Sequence, residues 1–310
     1  MERRAFMSAG LGAACTTALI ALPRRMAHGS EVQSPTVSSL ARSETAAPFA
    51  LTQSDLLDAF VRMRGRNDGR LVYGWLEAER STVIDGEITP LCGVIAGAVQ
   101  QFERRSETVY EATTLEIAHY TVPGTSELLK QVRMPGTGRM VDVPRYRFGP
   151  TRVRFAVNLD EWEEFAPQAQ AANAQQFAPK SSVHLVRSIG PARTIGESVY
   201  LRSDEFGRAY TDRTRPPNIF YREWMTWKSA SAALADRQAP SVPAEYSYAS
   251  LTSWRPWMQM GTVAGHTAEN GIGAKALRWE DCPARFLELT RRQHPDVLDD
   301  PARALRERAA

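Results

Sequence analysis

The sequence is poor in cysteine and carries none of the short motifs typical of metal or serine-hydrolase sites. Only three cysteines occur among 310 residues. The CxxC, HExxH and EF-hand patterns are absent, which argues against a tightly held structural zinc or calcium ion. A GxSxG nucleophile elbow is also absent, so hydrolysis by a serine triad has no support. No cofactor is therefore indicated by any motif.

Without its first 29 residues, the chain has no excess of positive or negative charge. The chain has a formal net charge of +3, but four arginines and one glutamate within residues 1–29 supply all of it. The rest of the chain is close to neutral. It therefore lacks the basic surface expected of a nucleic-acid-binding protein, and we expect no nucleic-acid partner.

Residues 5–22 form the longest run without a charge. Glycine, serine, threonine and alanine dilute this run, so it would make a poor transmembrane helix. A basic start, a modest apolar centre and small residues at its end favour a secretory signal peptide. The small-x-small spacing of Ala27-His28-Gly29 predicts cleavage after Gly29.

The segment RRAFM at residues 3–7 resembles the twin-arginine motif through Arg3, Arg4 and Phe6. Glu2 departs from the motif, which usually has Ser or Thr there. A second arginine pair near the cleavage site is tolerated by the twin-arginine route and disfavoured by the general secretory one. The resemblance implies export to the periplasm by the twin-arginine translocase, with no membrane association after cleavage. An ordinary signal peptide, an uncleaved anchor and a lipoprotein signal at Cys15 are the alternatives.

After the signal, the sequence predicts a tether and one β-rich domain. Residues 30–50 are rich in Ser, Thr, Ala and Pro without periodicity and predict a disordered tether. Residues 51–310 are predicted to form a single domain. It would open with a helix over about 54–64, capped by Ser54 and ended by Gly65. A second helix is predicted over 283–293, where proline stands near the start.

Short runs of β-branched and aromatic residues between the two helices predict about ten strands. Short connections indicate hairpins, hence an antiparallel meander. Many strands in meander order favour a barrel-like curved sheet, since closure removes exposed edges. The fold class is therefore mainly β (α+β), with a few covering helices. Residues 161–180, rich in Ala and Gln, are predicted to form a helix or a surface excursion.

Three stretches, at 115–143, 222–266 and 273–301, resemble the family known as domain of unknown function 1838. The shared features are a Pro-x-Thr-Gly turn in a sheet segment, a tryptophan–proline–tryptophan block running into MG, and a C-terminal helix ending near a proline–aspartate pair. The resemblance spans about 70–301. Met134 departs from it, because the turn usually begins with Asn. The resemblance implies no chemistry, since the family has no assigned function.

Glu223 is the leading candidate for a catalytic residue. It stands in YREWMTW, an apolar strand where a carboxylate is costly unless it is paired. Buried beside tryptophan, it would have a raised pKa and could act as a general acid or base. An outward-facing glutamate in a salt bridge is the alternative.

His119 and His184 are the other catalytic candidates, because both stand in predicted strands between apolar residues. If both faced one cavity with Glu223, they could share proton transfer or hold a metal by two histidines and a carboxylate. Each could instead be a core histidine with its hydrogen bonds satisfied. His294 is predicted to lie on the surface.

Aromatic residues supply the predicted ligand-binding set. The block SWRPWMQMG at 253–261 is the densest aromatic cluster, and YREWMTW is its predicted neighbour. These residues could plug the barrel as core, or line a pocket for a flat apolar ligand with methionines as adaptable walls. The predicted ligand-binding residues are Trp224, Trp227, Trp254, Trp257, Met260, Tyr120 and Lys275. Lys275 ends GHTAENGIGAK, which is predicted to be a glycine-rich loop without the strand and helix context of a phosphate-binding loop.

The leading functional hypothesis is an exported acid–base enzyme, acting without a redox cofactor on a small apolar molecule in a tryptophan-lined pocket. The main alternative is a periplasmic binding or carrier protein with the same pocket and no chemistry. A weaker one is an accessory partner of a neighbouring enzyme. Cys92 and Cys282 could form a disulfide in the periplasm or remain buried thiols.

Overall fold

The computed structural model describes residues 52–164, 182–215, 217 and 219–307. The predicted signal peptide and tether, and residues 165–180 of the predicted helix or excursion, lie outside the described residues. No helix within the described ranges is long and apolar enough to cross a membrane.

Strands make up most of the described chain, and short helices lie at its two ends and after the tenth strand. The strands are β1 (Leu71–Ile84), β2 (Glu87–Arg104), β3 (Tyr110–Thr121), β4 (Gln131–Arg133), β5 (Met140–Asp142), β6 (Tyr146–Phe155), β7 (Asn158–Glu164), β8 (Ser182–Ile195), β9 (Ser198–Tyr210), β10 (Ile219–Ala230), β11 (Glu245–Thr252) and β12 (His266–Ala276). The helices are α1 (Gln53–Arg64), α2 (Ser231–Ala235), α3 (Ala284–Gln293), α4 (Pro295–Asp299) and α5 (Pro301–Arg306).

Ten strands form one antiparallel sheet in the order β6-β3-β2-β1-β12-β11-β10-β9-β8-β7. The first and last strands of this order, β6 and β7, follow each other in the chain. The sheet curves into a nearly closed barrel. Pairing of β1 with β12 joins the two ends of the meander, with Tyr73 opposite Ala276. The prediction of a mainly β, barrel-like antiparallel fold with few helices is confirmed.

Three local predictions are corrected. The glycine-rich segment containing Lys275 is a strand, β12, and not a loop. Gly271 and Gly273 allow it to run close to β1, because a Cβ at either position would overlap a backbone oxygen of that strand. Residues 161–164 belong to β7 and not to a helix or excursion. The cap of α1 is the Thr52 side chain, which accepts from the Asp55 amide at 3.1 Å, and not Ser54.

Helix α1 closes one end of the barrel. Phe60, Leu57 and Val61 of α1 are fully buried in a cluster whose other members come from strands around the sheet, from Val72 on β1 to Trp227 on β10. This amphipathic pattern is the one the sequence predicted for 54–64. Because Arg64 lies in the last turn of α1, its side chain reaches the barrel interior.

Helices α3, α4 and α5 cover the outer face of β2 and β3. Ile95 and Val99 of β2 and Ile117 of β3 pack against Phe286 of α3, all of them almost completely buried. Gly97 lies beneath Phe286, and a Cβ there would approach the Phe286 ring carbon Cε2 at 2.7 Å. The glycine therefore admits the aromatic ring to the sheet surface. Both faces of these strands are thus covered, one by the helices and one by the barrel interior.

Cys92 and Cys282 are both buried free thiols. They belong to different hydrophobic clusters, Cys92 with the methionines near Met134 and Cys282 beneath α3. Burial raises the pKa of the Cys92 thiol to about 11 and that of the Cys282 thiol to about 12. Both thiols therefore remain protonated and unreactive at neutral pH.

Candidate functional site

A cavity of about 200 Å³ lies inside the barrel, lined by residues of β1, β2, β3, β6, β10, β11 and β12, by Arg255 and by the end of α1. A second cavity of about 130 Å³ lies towards β8 and β9. The two share six lining residues, so they form one continuous interior space: Arg64, Glu116, Tyr146, Tyr221, Glu223 and Arg255. We refer to this space as the barrel cavity.

Five tyrosines line the barrel cavity: Tyr120, Tyr146, Tyr221, Tyr246 and Tyr248. Burial raises the pKa of each phenol, so the hydroxyl groups remain protonated hydrogen-bond donors at neutral pH. Some of these donors are already used, as Tyr221 Oη donates to Glu205 at 3.0 Å and Tyr246 Oη donates to the Trp75 carbonyl at 3.0 Å. The wall of the barrel cavity therefore offers both aromatic rings and hydrogen-bonding groups.

Glu223 projects into the barrel cavity, on the same face of β10 as Tyr221, Met225 and Trp227. Tyr248 Oη, on the neighbouring strand, donates to Glu223 Oε2 over 3.4 Å. Burial and, to a smaller extent, the nearby carboxylates Glu205 and Glu116 together raise the pKa of Glu223 to about 8. At neutral pH the carboxyl group is therefore mostly protonated.

Glu116 of β3 faces the same space from the opposite wall. Four strands separate β3 from β10 along either side of the barrel, so the two carboxyl groups lie across the cavity from each other. Burial raises the pKa of Glu116, while the Arg64 charge and a hydrogen bond from Tyr146 oppose the shift. The cavity therefore carries two acids with raised pKa values on opposite sides. A third, Glu163 of β7, lines the part towards β8, where burial raises its pKa to about 7.

A buried ion pair occupies the wall formed by β1 and β12. The Arg80 guanidinium contacts Glu269 Oε2 through Nη2 at 2.6 Å and Nε at 2.7 Å. Its Nη1 donates to Tyr120 Oη at 3.2 Å. The charges of Arg80 and Glu269 therefore neutralise each other within the wall. Tyr120, one of the predicted ligand-binding residues, lines the cavity but takes part in this network.

Lys275 also lines the cavity, but its amine is turned towards the end of α1. Nζ donates to the Arg62 carbonyl at 2.5 Å, to Ser241 Oγ at 2.7 Å and to the Gly65 carbonyl at 3.2 Å. Burial lowers the pKa of Lys275 to about 7. Since three acceptors use the three donors of the ammonium form, the residue ties α1 to the barrel.

The structure does not bring His119 and His184 together with Glu223. His119 lies on the outer face of β3 beneath α3, with Nε2 2.9 Å from Thr290 Oγ1 and Nδ1 2.7 Å from Gln293 Oε1. Burial lowers its pKa. His184 lies on the outer face of β8, since its neighbours Val183 and Leu185 line the cavity. The condition for a shared site, that both histidines face one cavity with Glu223, is not met, because strand alternation directs both histidines away from the interior.

The surroundings of His184 and His294 also differ from those that the sequence predicted. His184 Nε2 lies 2.5 Å from Asp160 Oδ1, and its ring stacks on Trp162 with a centroid distance of 4.8 Å. His294, predicted on the surface, is only 6% exposed and packs against His119, where burial lowers its pKa to about 4. The two-histidine, one-carboxylate metal site is therefore not formed. Across the described residues, no group of three or more His, Cys, Asp or Glu could hold a metal ion.

The predicted tryptophan-lined pocket is replaced by a tyrosine-lined one. Trp227 is the one predicted tryptophan that lines the barrel cavity, and it is 4% exposed. Trp224 stands on the opposite face of β10 from Glu223, because successive strand residues alternate. Trp254 and Trp257 pack in a hydrophobic cluster with Met260, and Trp254 Nε1 donates to the Val263 carbonyl at 2.8 Å. The WRPW block therefore acts mainly as core.

Several lining residues were not predicted from the sequence. Glu116 is the acid across from Glu223, Arg64 lies at the end of α1, and Arg255 enters the cavity from between Trp254 and Trp257. The signal available was the alternation Tyr246-x-Tyr248-x-Ser250, which places small polar and tyrosine side chains on one face of β11. Polar side chains on the inward face of a barrel strand indicate that this face lines a cavity.

Comparison with known proteins gives one finding. Residues 209–309 match the family described as Protein of unknown function (DUF1838). The match covers about a third of the chain and includes Glu223, Arg255 and Lys275, whereas Arg64 and Glu116 lie outside it. It supports the resemblance over this region. No curated protein matches the chain.

Proposed function

We propose that the barrel cavity is an acid–base active site in which Glu223 exchanges a proton with a bound small molecule. The observation that carries the proposal is a carboxyl group with a pKa of about 8 that faces the barrel cavity and has one neutral hydrogen-bond donor beside it. Strongly perturbed acids that face a cavity are typical of catalytic sites. Catalysis of this kind needs a pKa near the working pH.

The proposed role of Glu223 in the resting enzyme is that of the general acid. With a pKa of about 8, the protonated form exceeds the ionised form by about ten to one at pH 7. After giving up its proton, the carboxylate accepts the hydrogen bond from Tyr248. Glu116, across the cavity, is placed to act on the opposite side of a bound molecule.

The lining favours a polar substrate with an aromatic or other flat part. Tyrosine rings and Trp227 offer flat contact surfaces, and the hydroxyl, carboxyl and guanidinium groups offer hydrogen bonds. This changes the expected substrate from apolar to polar. A purely apolar ligand would leave the charged groups of the cavity without water or a partner, which is costly.

We expect Glu223→Gln to abolish turnover while leaving the fold intact, because glutamine keeps the shape and the contact with Tyr248 but cannot transfer a proton. General acid catalysis typically contributes about a hundred- to ten-thousandfold in rate. The protein would be incubated with extract of the cells that make it, and mass spectrometry would identify molecules consumed by the unaltered protein and not by the variant. The rate should fall as the pH rises through about 8, since the acid form is then lost.

Glu87→Gln is the matched control, since Glu87 is exposed at the tip of the first hairpin. It should consume the same molecule at the normal rate. Infrared spectroscopy should also show a protonated carboxyl component that disappears near pH 8 in this control, and that component should be missing in Glu223→Gln while the signal of other buried acids such as Glu116 remains. Equal turnover by both variants would contradict the proposal. A molecule that binds to all three proteins and is never converted would identify a carrier instead.

We also propose that the protein is exported to the periplasm by the twin-arginine translocase, with cleavage near Gly29. The support is the RRAFM segment at residues 3–7 and the second arginine pair beside the predicted cleavage site. This route carries folded proteins, so a barrel whose ends are joined by β1 and β12 would cross already assembled.

Replacing Arg3 and Arg4 together with lysine should block export, because the translocase recognises the guanidinium pair and not charge alone. Fractionation of cells and blotting for the precursor and the shortened chain would measure this. The same replacement at Arg24 and Arg25 serves as control and should leave export unchanged. Normal export of the Arg3, Arg4 double variant would disprove the twin-arginine assignment.

A further inference from the structure

We propose that Arg64 binds the carboxylate of an anionic substrate inside the barrel cavity, so that the substrate is a small ring-bearing carboxylic acid. This inference rests on the proposed function of the same site and names its substrate class. Arg64 and Glu223 line the same interior surfaces, so a group held by Arg64 lies within the space that Glu223 faces.

Within the described part of the chain, the Arg64 guanidinium has no oxygen acceptor. Its Nη1 contacts the Met225 sulfur at 3.8 Å, a weak acceptor. Its Nε is buried and has no hydrogen-bond partner. The charged carbon Cζ lies 5.1 Å from the centre of the Phe155 ring and 6.0 Å from that of Trp227. A guanidinium carries five donors, so most of its hydrogen-bonding capacity is unused.

Other cations that line the cavity are already engaged. Arg80 is paired with Glu269, and Lys275 donates to three acceptors at the end of α1. Arg187, which lines the part of the cavity towards β8 and β9, is paired with Glu205 and Glu161. The pKa of Arg255 is lowered by burial, and it lies near Tyr146, which opposes that shift. Among these cations that line the barrel cavity, Arg64 is therefore the one whose guanidinium still has donors available for a ligand.

A carboxylate fits this arrangement better than a neutral group does. Its two oxygens match the planar fork of a guanidinium and form two parallel charge-assisted hydrogen bonds. The rings of Phe155 and Trp227 hold the Arg64 side chain in one orientation, so less conformational entropy is lost on binding. Tyrosine rings such as Tyr246 and Tyr221 border the same space and can contact the ring of the ligand.

Binding of an anion at Arg64 would also change the pKa values of Glu116 and Glu223. The Arg64 charge now lowers the pKa of both Glu116 and Glu223. A carboxylate bound to Arg64 would offset that charge and raise both pKa values, since opposite charges cancel at these distances. The substrate would therefore keep Glu223 protonated, in the form that acts as the acid. Binding near pH 8 should be accompanied by proton uptake.

The test uses benzoate as the probe and benzamide as its neutral counterpart of the same shape. Isothermal titration calorimetry on the full chain should show benzoate binding about ten- to a hundredfold more tightly, as expected for hydrogen bonds between charged groups. Arg64→Met should remove this preference, and Arg64→Lys should restore only part of it. Titration at pH 8 in two buffers with different ionisation enthalpies should reveal proton uptake with benzoate alone.

Arg70→Met is the matched control, because the Arg70 side chain is 71% exposed and close to α1 in the sequence. It should bind benzoate as the unaltered protein does. Circular dichroism and the melting temperature would show that each Arg64 variant is folded. Equal affinity for benzoate and benzamide, unchanged benzoate affinity in Arg64→Met, or no benzoate binding at all would each overturn the proposal.

The substrate class and the catalytic role can fail separately. Glu223→Gln should retain the preference for benzoate, since the Arg64 fork is intact in that variant. If Glu223→Gln also retains turnover, the acid–base role fails while the carboxylate site stands. If Glu223→Gln loses turnover but benzoate shows no preference, the acid–base role stands and the substrate is not a carboxylate.

Discussion

Arg187→Met should lower the free energy of unfolding by about 3–5 kcal/mol, the range measured when one partner of a buried ion pair is removed. Arg187 lies on β8 with its side chain 7% exposed. It pairs with Glu205 through Nε and with Glu161 Oε1 through Nη1, at 3.2 Å in the second case. Methionine has similar length but removes the counter-ion of Glu205 and leaves Glu161 paired with Arg154 alone.

Because of where Arg187 lies, its removal should lower the free energy of unfolding more than removal of an ordinary ion pair would. Its Nη1 also donates to the Arg154 carbonyl at 3.1 Å. Arg154 lies on β6, and Glu161 lies on β7. These two strands end the sheet order, so the Arg187 side chain connects the two edges of the barrel where strand pairing is missing. Removing it weakens closure as well as charge balance.

Urea denaturation followed by tryptophan fluorescence would measure the effect. Arg202→Met is the control, because Arg202 pairs with Asp204, also on β9, but its side chain is 45% exposed. Exposed pairs contribute about 0–1 kcal/mol, so this variant should unfold almost as the unaltered protein does. Equal losses in the two variants would mean that the Arg187 cluster does not hold the barrel edges together.

Phe286→Ala should also cost about 3–5 kcal/mol, the range typical of a buried Phe-to-Ala change. Phe286 lies on the side of α3 that faces the sheet and is 1% exposed, and its ring centroid lies 5.4 Å from that of Trp279 and 6.0 Å from that of His119. Truncation leaves a cavity between α3 and the sheet. The outer face of β2 and β3 then loses its main contact with the helices.

Gly97 provides a partner for a double-mutant cycle. A Cβ at Gly97 would overlap the Phe286 ring and lie 2.9 Å from the Gly74 carbonyl oxygen. Gly97→Ala alone should therefore destabilise by about 1–3 kcal/mol, as overpacking does. With Phe286→Ala present, the ring no longer blocks the methyl group, so the double variant should lose less than the sum of the two.

Thermal and urea unfolding of the two single variants and the double variant would complete the cycle. Leu277→Ala is the control, since Leu277 is 47% exposed between β12 and α3. It should change stability by less than about 0.5 kcal/mol. Additive losses in the double variant would show that Gly97 and Phe286 do not contact each other in solution.

Local features of the fold were predictable because they depend on short-range patterns. The stripe of apolar residues in α1, the strand runs from Leu71 onward and the proline-led helix α3 were all read from neighbouring residues. Strand β12 was missed for the same reason: its glycines and polar residues resemble a loop, and only pairing on both sides makes it a strand. Tertiary pairing can override weak strand propensity.

The residues of the candidate site were likewise only partly predictable from the sequence. An unusual carboxylate in an apolar strand was enough to select Glu223, which faces the cavity with a raised pKa. His119 and His184 carried the same local signal but face outward. Apolar neighbours mark a covered face in both cases. They do not distinguish a face covered by helices from one that lines the interior.

By itself, the sequence determined the class of fold, the two main helices, the near-neutral charge after residue 29 and the single acid at Glu223. Only the tertiary structure decided which face of each strand points inward, and therefore that Glu116 and Arg64 join Glu223 while the histidines and most tryptophans do not. The physical reason is that a strand's alternation defines two faces but not their surroundings. Barrel closure, made by strands far apart in the chain, assigns one face to the cavity and the other to helices or solvent.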